Sequence, residues 1–286
     1  MPYNNWKGIG SARRAGVLAP LFSVYSKNSF GIGDFRDLKL LIDWCGSAGL
    51  SILQLLPMNE VGPTFCPYDA LSSFALEQAY ISIDSKKGHP PKGGRVDYAV
   101  KEEKLDELWN LYLKDKQSES KDFKEFIKSN SYWIEDFALF KVLRKHHGGR
   151  PWYEWDDCYK NRDPERLKDF KKKHSGRISF QAWLQWVAFN QFKKAKAYAA
   201  SKNIKICGDL PILISRDSAD VWAHPEYFKL DFAAGAPPDM YCAKGQRWGV
   251  PTYNWEKIAG DGYRYLKEKF AFAENFYDIL RVDHVV

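Results

Sequence analysis

Two apolar stretches carry most of the chain's capacity for chemistry. Ile279-Leu280-Arg281-Val282-Asp283-His284-Val285-Val286 is a β-branched run with an arginine, an aspartate and a histidine at alternate or adjacent positions, and Ile204-Lys205-Ile206-Cys207-Gly208-Asp209-Leu210-Pro211-Ile212 is a second run with Asp209 near its end. Each reads as a buried strand that delivers polar groups at its C-terminal end, where barrel enzymes keep their chemistry. Two strands of one sheet, each ending in an aspartate, would aim both carboxylates into one pocket. Plainer readings stand beside this one: Arg281 and Asp283 as a structural ion pair with His284 merely following, and Asp209 as the cap of a turn before Leu-Pro. His146 and His147 are the other tempting pair. Adjacent histidines on a helix point to different faces, no second cluster joins them, and a helix C-terminus accounts for them without a metal.

The elements that must position these groups follow an α/β rhythm. A first strand is expected over Val17-Leu18-Ala19-Pro20-Leu21-Phe22, and after Gly31-Ile32-Gly33 a helix capped by Asp34 with Phe35, Leu38, Leu41, Ile42 and Cys45 at helical spacing. Leu50 to Pro57 is a second buried strand, so the opening reads as a parallel unit covered on both faces. From Asn59 to Ser179 the pattern is mostly helical: an exposed amphipathic helix is expected between Lys101 and Lys128, and another from Trp133 to Leu143. This stretch reads as an insertion between the second and third strands, dividing the chain into 1–58, 59–179 and 180–286, with no obvious catalytic cluster of its own. A strong helix restarts at Phe180, with Trp183 in its core face. Beyond the Asp209 strand, residues 217–255 form a long aromatic loop without a secondary-structure pattern, of the kind that is usually functional. A helix from Tyr263 to Phe276 leads into the last strand.

Composition narrows the classes. With 286 residues, 45% apolar and 28% charged, the chain is an ordinary globular protein with room for a large core. The formal charge of +7 comes from basic residues interleaved with 36 acidic ones, and the one dense basic run, Lys171-Lys172-Lys173-His174, reads as solvated surface, so no nucleic-acid partner is expected. Five cysteines at wide spacing, with no CxxC pair, argue for free thiols in a reducing compartment. No signal-peptide core and no membrane-length run are present, so a cytoplasmic location is expected. The aromatic content is the unusual figure, 16% with 11 tryptophans; flat rings with polar edges suit the C–H faces and hydroxyls of sugars.

Taken together, Gly208-Asp209-Leu210-Pro211-Ile212, Asp217-Ser218-Ala219-Asp220-Val221-Trp222, Ala234-Gly235-Ala236-Pro237-Pro238-Asp239, Gly245-Gln246-Arg247-Trp248-Gly249 and Arg281-Val282-Asp283-His284 resemble the amylomaltases, the 4-alpha-glucanotransferases of glycoside hydrolase family 77. The resemblance runs from Gly16 to the last residues. It implies a (β/α)8 TIM barrel of the alpha-amylase clan that transfers alpha-1,4-glucan segments between maltooligosaccharides, in starch, glycogen or maltodextrin metabolism, without a metal or organic cofactor. By the same resemblance Asp283 is the nucleophile of a retaining double displacement, with Arg281 beside it to favour the ionised carboxylate. Asp209 and His284 match residues that hold donor hydroxyls. Asp239, Gln246 and Trp248 lie in the family's active-site loop, and Tyr68 matches the tyrosine of its Ser-Pro-Tyr acceptor motif, in which Cys66 here replaces the serine.

A retaining mechanism needs two carboxyl groups about 5–5.5 Å apart. The family's acid/base glutamate lies beyond the position matching Val286, so the chain is expected to be the N-terminal part of an enzyme, truncated after about the fourth barrel strand. Three readings remain open: part of a working glucanotransferase, an inactive or glucan-binding half-barrel, and an alpha-glucan hydrolase of the same clan.

Overall fold

A computed structural model describes residues 10, 12–83, 96, 98–114 and 119–283. His284, one of the expected site residues, lies outside them.

Four parallel strands form the central sheet: β1 (Gly16–Leu18), β2 (Ile52–Gln54), β3 (Lys205–Pro211) and, after further elements, β8 (Ile279–Asp283), in the order β1-β2-β3-β8. Each strand therefore pairs with its predecessor in this series, as crossover connections of an α/β fold require. The first strand is shorter than expected. Pro20 has no N–H to continue the ladder, and Leu21–Ser23 winds into a 3₁₀ turn whose Ser23 N–H returns to the Pro20 carbonyl at 3.1 Å.

Helix α1 (Phe35–Ser47) starts where its sequence says it should. The Asp34 carboxylate accepts from the Arg36 and Asp37 amides, and Asp37 accepts back from the Asp34 N–H at 3.0 Å, a capping box. Phe35, Leu38, Ile42 and Cys45 are buried, with Leu41 half-buried against the same core, each large side chain contributing about 2 kcal/mol. The turn before it can only be glycine at Gly33, where a Cβ would sit 1.9 Å from the Leu21 carbonyl oxygen.

Between β2 and β3 come α2 (Val100–Lys114), α3 (Lys121–Ser129), α4 (Ile134–His146), α5 (Asp157–Lys160), α6 (Pro164–Lys173) and α7 (Ser175–Ser201). The expected exposed helix over 101–128 is thus two helices, and α2 is not simply exposed. Lys101 and Lys104 are buried on it because both find acceptors: Lys101 reaches Glu77 at 2.6 Å and Glu60 at 3.2 Å, and Lys104 donates to the Ala79 carbonyl at 2.6 Å. Burial works against the charge of Glu60, but Lys101 and Lys141 outweigh it and hold its pKa below the usual value.

Lys104 has less help, and burial pushes its ammonium down to about 8. An unfolded lysine titrates near 10.4, so between those values the unfolded chain binds more protons and stability rises with pH. Relative to Lys104→Met, the wild-type chain should gain about 2 kcal/mol between pH 7 and 9.5. Parallel urea-denaturation curves for the two proteins across that window would sink this account.

Helix α7, 27 residues long, packs between α1 and α4 and is buried on more than one side, from Phe180, Trp183 and Leu184 to Phe192 and Ala199. Phe192 stacks on Phe35 at 5.2 Å and on Phe276 at 4.7 Å between centroids, joining the helix before β2 to the turn that leads into β8.

The stretch after β3 is more ordered than its sequence suggests. It holds α8 (Ala219–Ala223), β4 (Phe228–Lys229), β5 (Gly235–Ala236), β6 (Gln246–Arg247), β7 (Thr252–Tyr253), α9 (Trp255–Gly260) and α10 (Arg264–Ala273), with β4 pairing β7 and β5 pairing β6, both antiparallel. Two-residue strands leave no period to read, and their pairing is decided by residues up to 25 positions apart, Phe228 opposite Tyr253. Among the described residues, no helix is long and apolar enough to cross a membrane.

Candidate active site

The register of β3 against β8 decides the geometry. Asp209 lies opposite Arg281 and Pro211 opposite Asp283. Because side chains alternate along a strand, Arg281 and Asp283 share a face, and the parallel pairing puts Asp209 on the same one. Asp209 can sit there because its neighbour is glycine: the Tyr277 ring lies where a Cβ on Gly208 would be, 2.5 Å from it.

One carboxylate oxygen of Asp209, Oδ2, accepts from the Tyr68 hydroxyl at 2.7 Å and from Arg281 Nη1 at 2.6 Å. Arg281 Nη2 in turn donates to Asp283 Oδ1. A continuous chain therefore runs Tyr68–Asp209–Arg281–Asp283, charge-assisted at each junction of Arg281 with a carboxylate. Its two acids are not equivalent. The Asp209 side chain is fully buried, while 34% of the Asp283 side chain is exposed. Burial, and then the hydrogen bond to the Asp209 carboxylate, push the Tyr68 hydroxyl up to about 12, so it stays a donor. Asp209 Oδ1 is buried without a hydrogen-bond partner.

Asp283 and Tyr68 open into a groove of about 510 Å³, whose wall includes Trp248, Cys66, Pro211 and Ile212. That volume lies within the range of small-ligand sites. Trp248 is 43% exposed, and its indole N–H donates to Gln246 Oε1 at 3.0 Å, which orients the ring on the hairpin that carries it. Of the expected residues, the structure thus brings together Tyr68, Asp209, Arg281, Asp283 and Trp248. It does not bring Asp239 or Gln246 to the groove wall. Asp239 is exposed and accepts from the Tyr241 and Cys242 amides at 2.8 and 2.7 Å, folding its own turn, and Gln246 serves Trp248.

The motif Asp217 to Trp222 turns out to be a joint. Asp217 accepts from Arg144 Nε and the Trp152 amide, each at 3.1 Å, and Asp220 accepts from the Ser73 amide at 3.0 Å and the Tyr265 hydroxyl at 2.7 Å. Lys269, not singled out from the sequence, is buried below the groove. Its ammonium donates to the Pro211 carbonyl at 2.5 Å and the Ile212 carbonyl at 3.1 Å, and the Tyr253 hydroxyl also donates to Ile212. The available signal was its spacing: Tyr265, Lys269 and Phe272 line one face of α10, where a lysine among apolar residues has to find acceptors. Among the described residues, no group of three or more His, Cys, Asp or Glu side chains is placed to hold a metal ion.

The comparisons with known proteins converge. The family model described as 4-alpha-glucanotransferase, glycoside hydrolase family 77, matches residues 19–286. A 4-alpha-glucanotransferase of Chlamydia pneumoniae is 37% identical over 98% of this chain and 57% of its own length, and one of Aquifex aeolicus is 36% identical over 95% and 59%. The amylomaltase of Streptococcus agalactiae, solved in complex with acarbose, superposes with a TM-score of 0.85 at 30% identity, over 95% of this chain and 59% of that one. The chain thus spans a little over half the length of the relatives it matches. With a family match over nearly all of its residues and a shared α/β fold, the chain belongs to the 4-alpha-glucanotransferase family, glycoside hydrolase family 77.

Proposed function

We propose that this chain supplies the nucleophile side of a 4-alpha-glucanotransferase site, on the first strands of a (β/α)8 barrel that 1–58 and 180–286 build around the intervening 59–179. The observation that carries the reading is the hydrogen-bonded chain Tyr68–Asp209–Arg281–Asp283 at the C-terminal ends of two paired parallel strands, open to a groove walled by Trp248. Asp283, the more exposed acid, attacks the anomeric carbon of the donor glucan and forms a covalent glycosyl-enzyme; Arg281 orients it and disperses its charge. Asp209 and Tyr68 are anchored to each other and hold sugar hydroxyls. His284 is assigned to the same task, and Asp239 and Gln246 to shaping the loop that carries Trp248.

Departure of the leaving sugar needs a protonated carboxyl on the other side of the bond. Asp209 is a poor candidate, because one oxygen is committed to two donors and the whole side chain is buried. We assign that role to the part of the family's length that this chain does not span. A second sugar hydroxyl then takes the glycosyl group in place of water, with Trp248 stacking the acceptor and excluding solvent.

In an enzyme carrying this sequence together with the remainder of the family's length, maltotriose should yield glucose and longer oligomers together. Glucose or maltose without longer oligomers would identify a hydrolase and overturn the proposal. The groove itself is tested on the chain as it stands. Maltoheptaose should bind saturably by calorimetry, and Trp248→Ala should weaken it about tenfold, the roughly 1.4 kcal/mol of one aromatic stack. Unchanged affinity would remove Trp248 from the binding surface.

A further inference from the structure

A second cleft, of about 600 Å³ and sharing no lining residue with the groove, lies between α2, the end of α4 and the start of α7. Basic side chains gather in it. Lys145 and His146 come from the last turn of α4, and His174 and Arg177 flank the first turn of α7. The cleft's other two basic side chains are already committed, Lys141 to Glu60 and Arg144 to Asp217. Among the described residues, no carboxylate lies within ion-pairing distance of Lys145 or Arg177.

These charges gather where the backbone adds to them. Helix α7 begins without a side-chain cap and without an acidic residue in its first turn, so the positive end of a 27-residue helix adds to the charge of Arg177 in its own first turn. The His146 and His174 rings are 6.0 Å apart, and burial together with the neighbouring His147, His174 and Lys173 pushes the His146 pKa down. The Arg177 guanidinium lies over the Trp109 ring, 3.6 Å from its centroid, which holds it in place. An anion resting here would relieve the repulsion.

Acceptors line the same cleft: Glu102 and Asp106 on α2, and Gln78, a side chain 1% exposed whose Oε1 has no hydrogen-bond partner while its amide nitrogen donates to Gln181 at 2.7 Å. These are acceptors waiting for donors. A bare anion would be repelled by them, and a neutral sugar would leave the cations uncompensated.

We propose that this cleft binds a phosphorylated sugar, its phosphoryl group against Lys145, His146, His174 and Arg177 and its hydroxyls donating to Gln78, Glu102 and Asp106. The site is independent of the groove and of the reaction assigned to it. Calorimetry with glucose 6-phosphate as probe should give saturable one-to-one binding, at least tenfold tighter than inorganic phosphate, with no binding of glucose at this cleft and a clear weakening at high salt. Lys145→Glu, at an exposed helix position that leaves the core untouched, and separately Arg177→Ala should each weaken the probe at least tenfold. Trp248→Ala, in the groove, should leave it unchanged. No saturable binding, equal affinity for inorganic phosphate, or an unaltered Lys145→Glu protein would each overturn the proposal.

Discussion

If Asp283 is the nucleophile as proposed, Asp283→Asn should lower glucan transfer by at least about 10⁴-fold in an enzyme carrying this sequence together with the remainder of the family's length, a loss of roughly 5.5 kcal/mol of transition-state stabilisation. The amide keeps the shape of the carboxylate and can still accept from Arg281, so the groove should stay intact and only the proposed nucleophile be lost. Maltoheptaose affinity should change less than about threefold and thermal stability hardly at all, because the side chain is partly exposed and removes no buried charge. A variant retaining a tenth of the wild-type transfer rate would remove Asp283 from the nucleophile's role. A variant that loses substrate binding along with turnover would instead make it a binding residue.

The second large effect is structural and acts through Lys269. Its ammonium is the donor for the carbonyls of Pro211 and Ile212, and Pro211 is the strand partner of Asp283. Helix α10, which leads into β8, is in this way pinned to the end of β3. Lys269→Ala leaves a cavity, removes both bonds and strips Pro211 of its donor. The expected destabilisation is about 3–5 kcal/mol, enough to shift a melting temperature by roughly 10 °C in a chain of this size. Lys269→Met fills the space and removes the charge, which burial already pushes down to about 8, so it should recover a good part of that loss. Equal melting temperatures for the Ala variant and the wild type would show that the pin is idle.

Much of this was legible beforehand, for identifiable reasons. The cap at Asp34, the apolar face of α1, the apolar runs that became β2, β3 and β8 and the core position of Trp183 are local patterns, readable because helix and strand impose their own periods on neighbouring residues, although β8, at the end of the sheet order, was expected to be buried and has no buried residue. Residues at strand ends with charged side chains in apolar company drew attention to Asp209, Arg281 and Asp283 for the same reason. What no local pattern carries is the fate of a polar residue whose partner is distant. The stretch from Lys101 to Lys128 reads as an exposed amphipathic helix, yet Lys101 and Lys104 are buried because Glu60, Glu77 and the Ala79 carbonyl, from a segment before α2, come to meet them. Asp217 and Asp220 looked like part of a functional loop and are joints that fasten the chain to Arg144, Ser73 and Tyr265.

The sequence by itself determined the kind of chain this is: alternating elements of a parallel sheet, acids at strand ends and an aromatic segment between them. Only the tertiary structure decided that Asp209 and Arg281 share a register position, that Tyr68, 141 residues away along the chain, closes on the same oxygen, and that Trp248 faces the groove while Asp239 only folds its own turn. The physical reason is the reach of the forces involved. Periodicity and capping act over one or two turns of backbone. The hydrogen-bond partner of a buried charge is set by how separate segments pack.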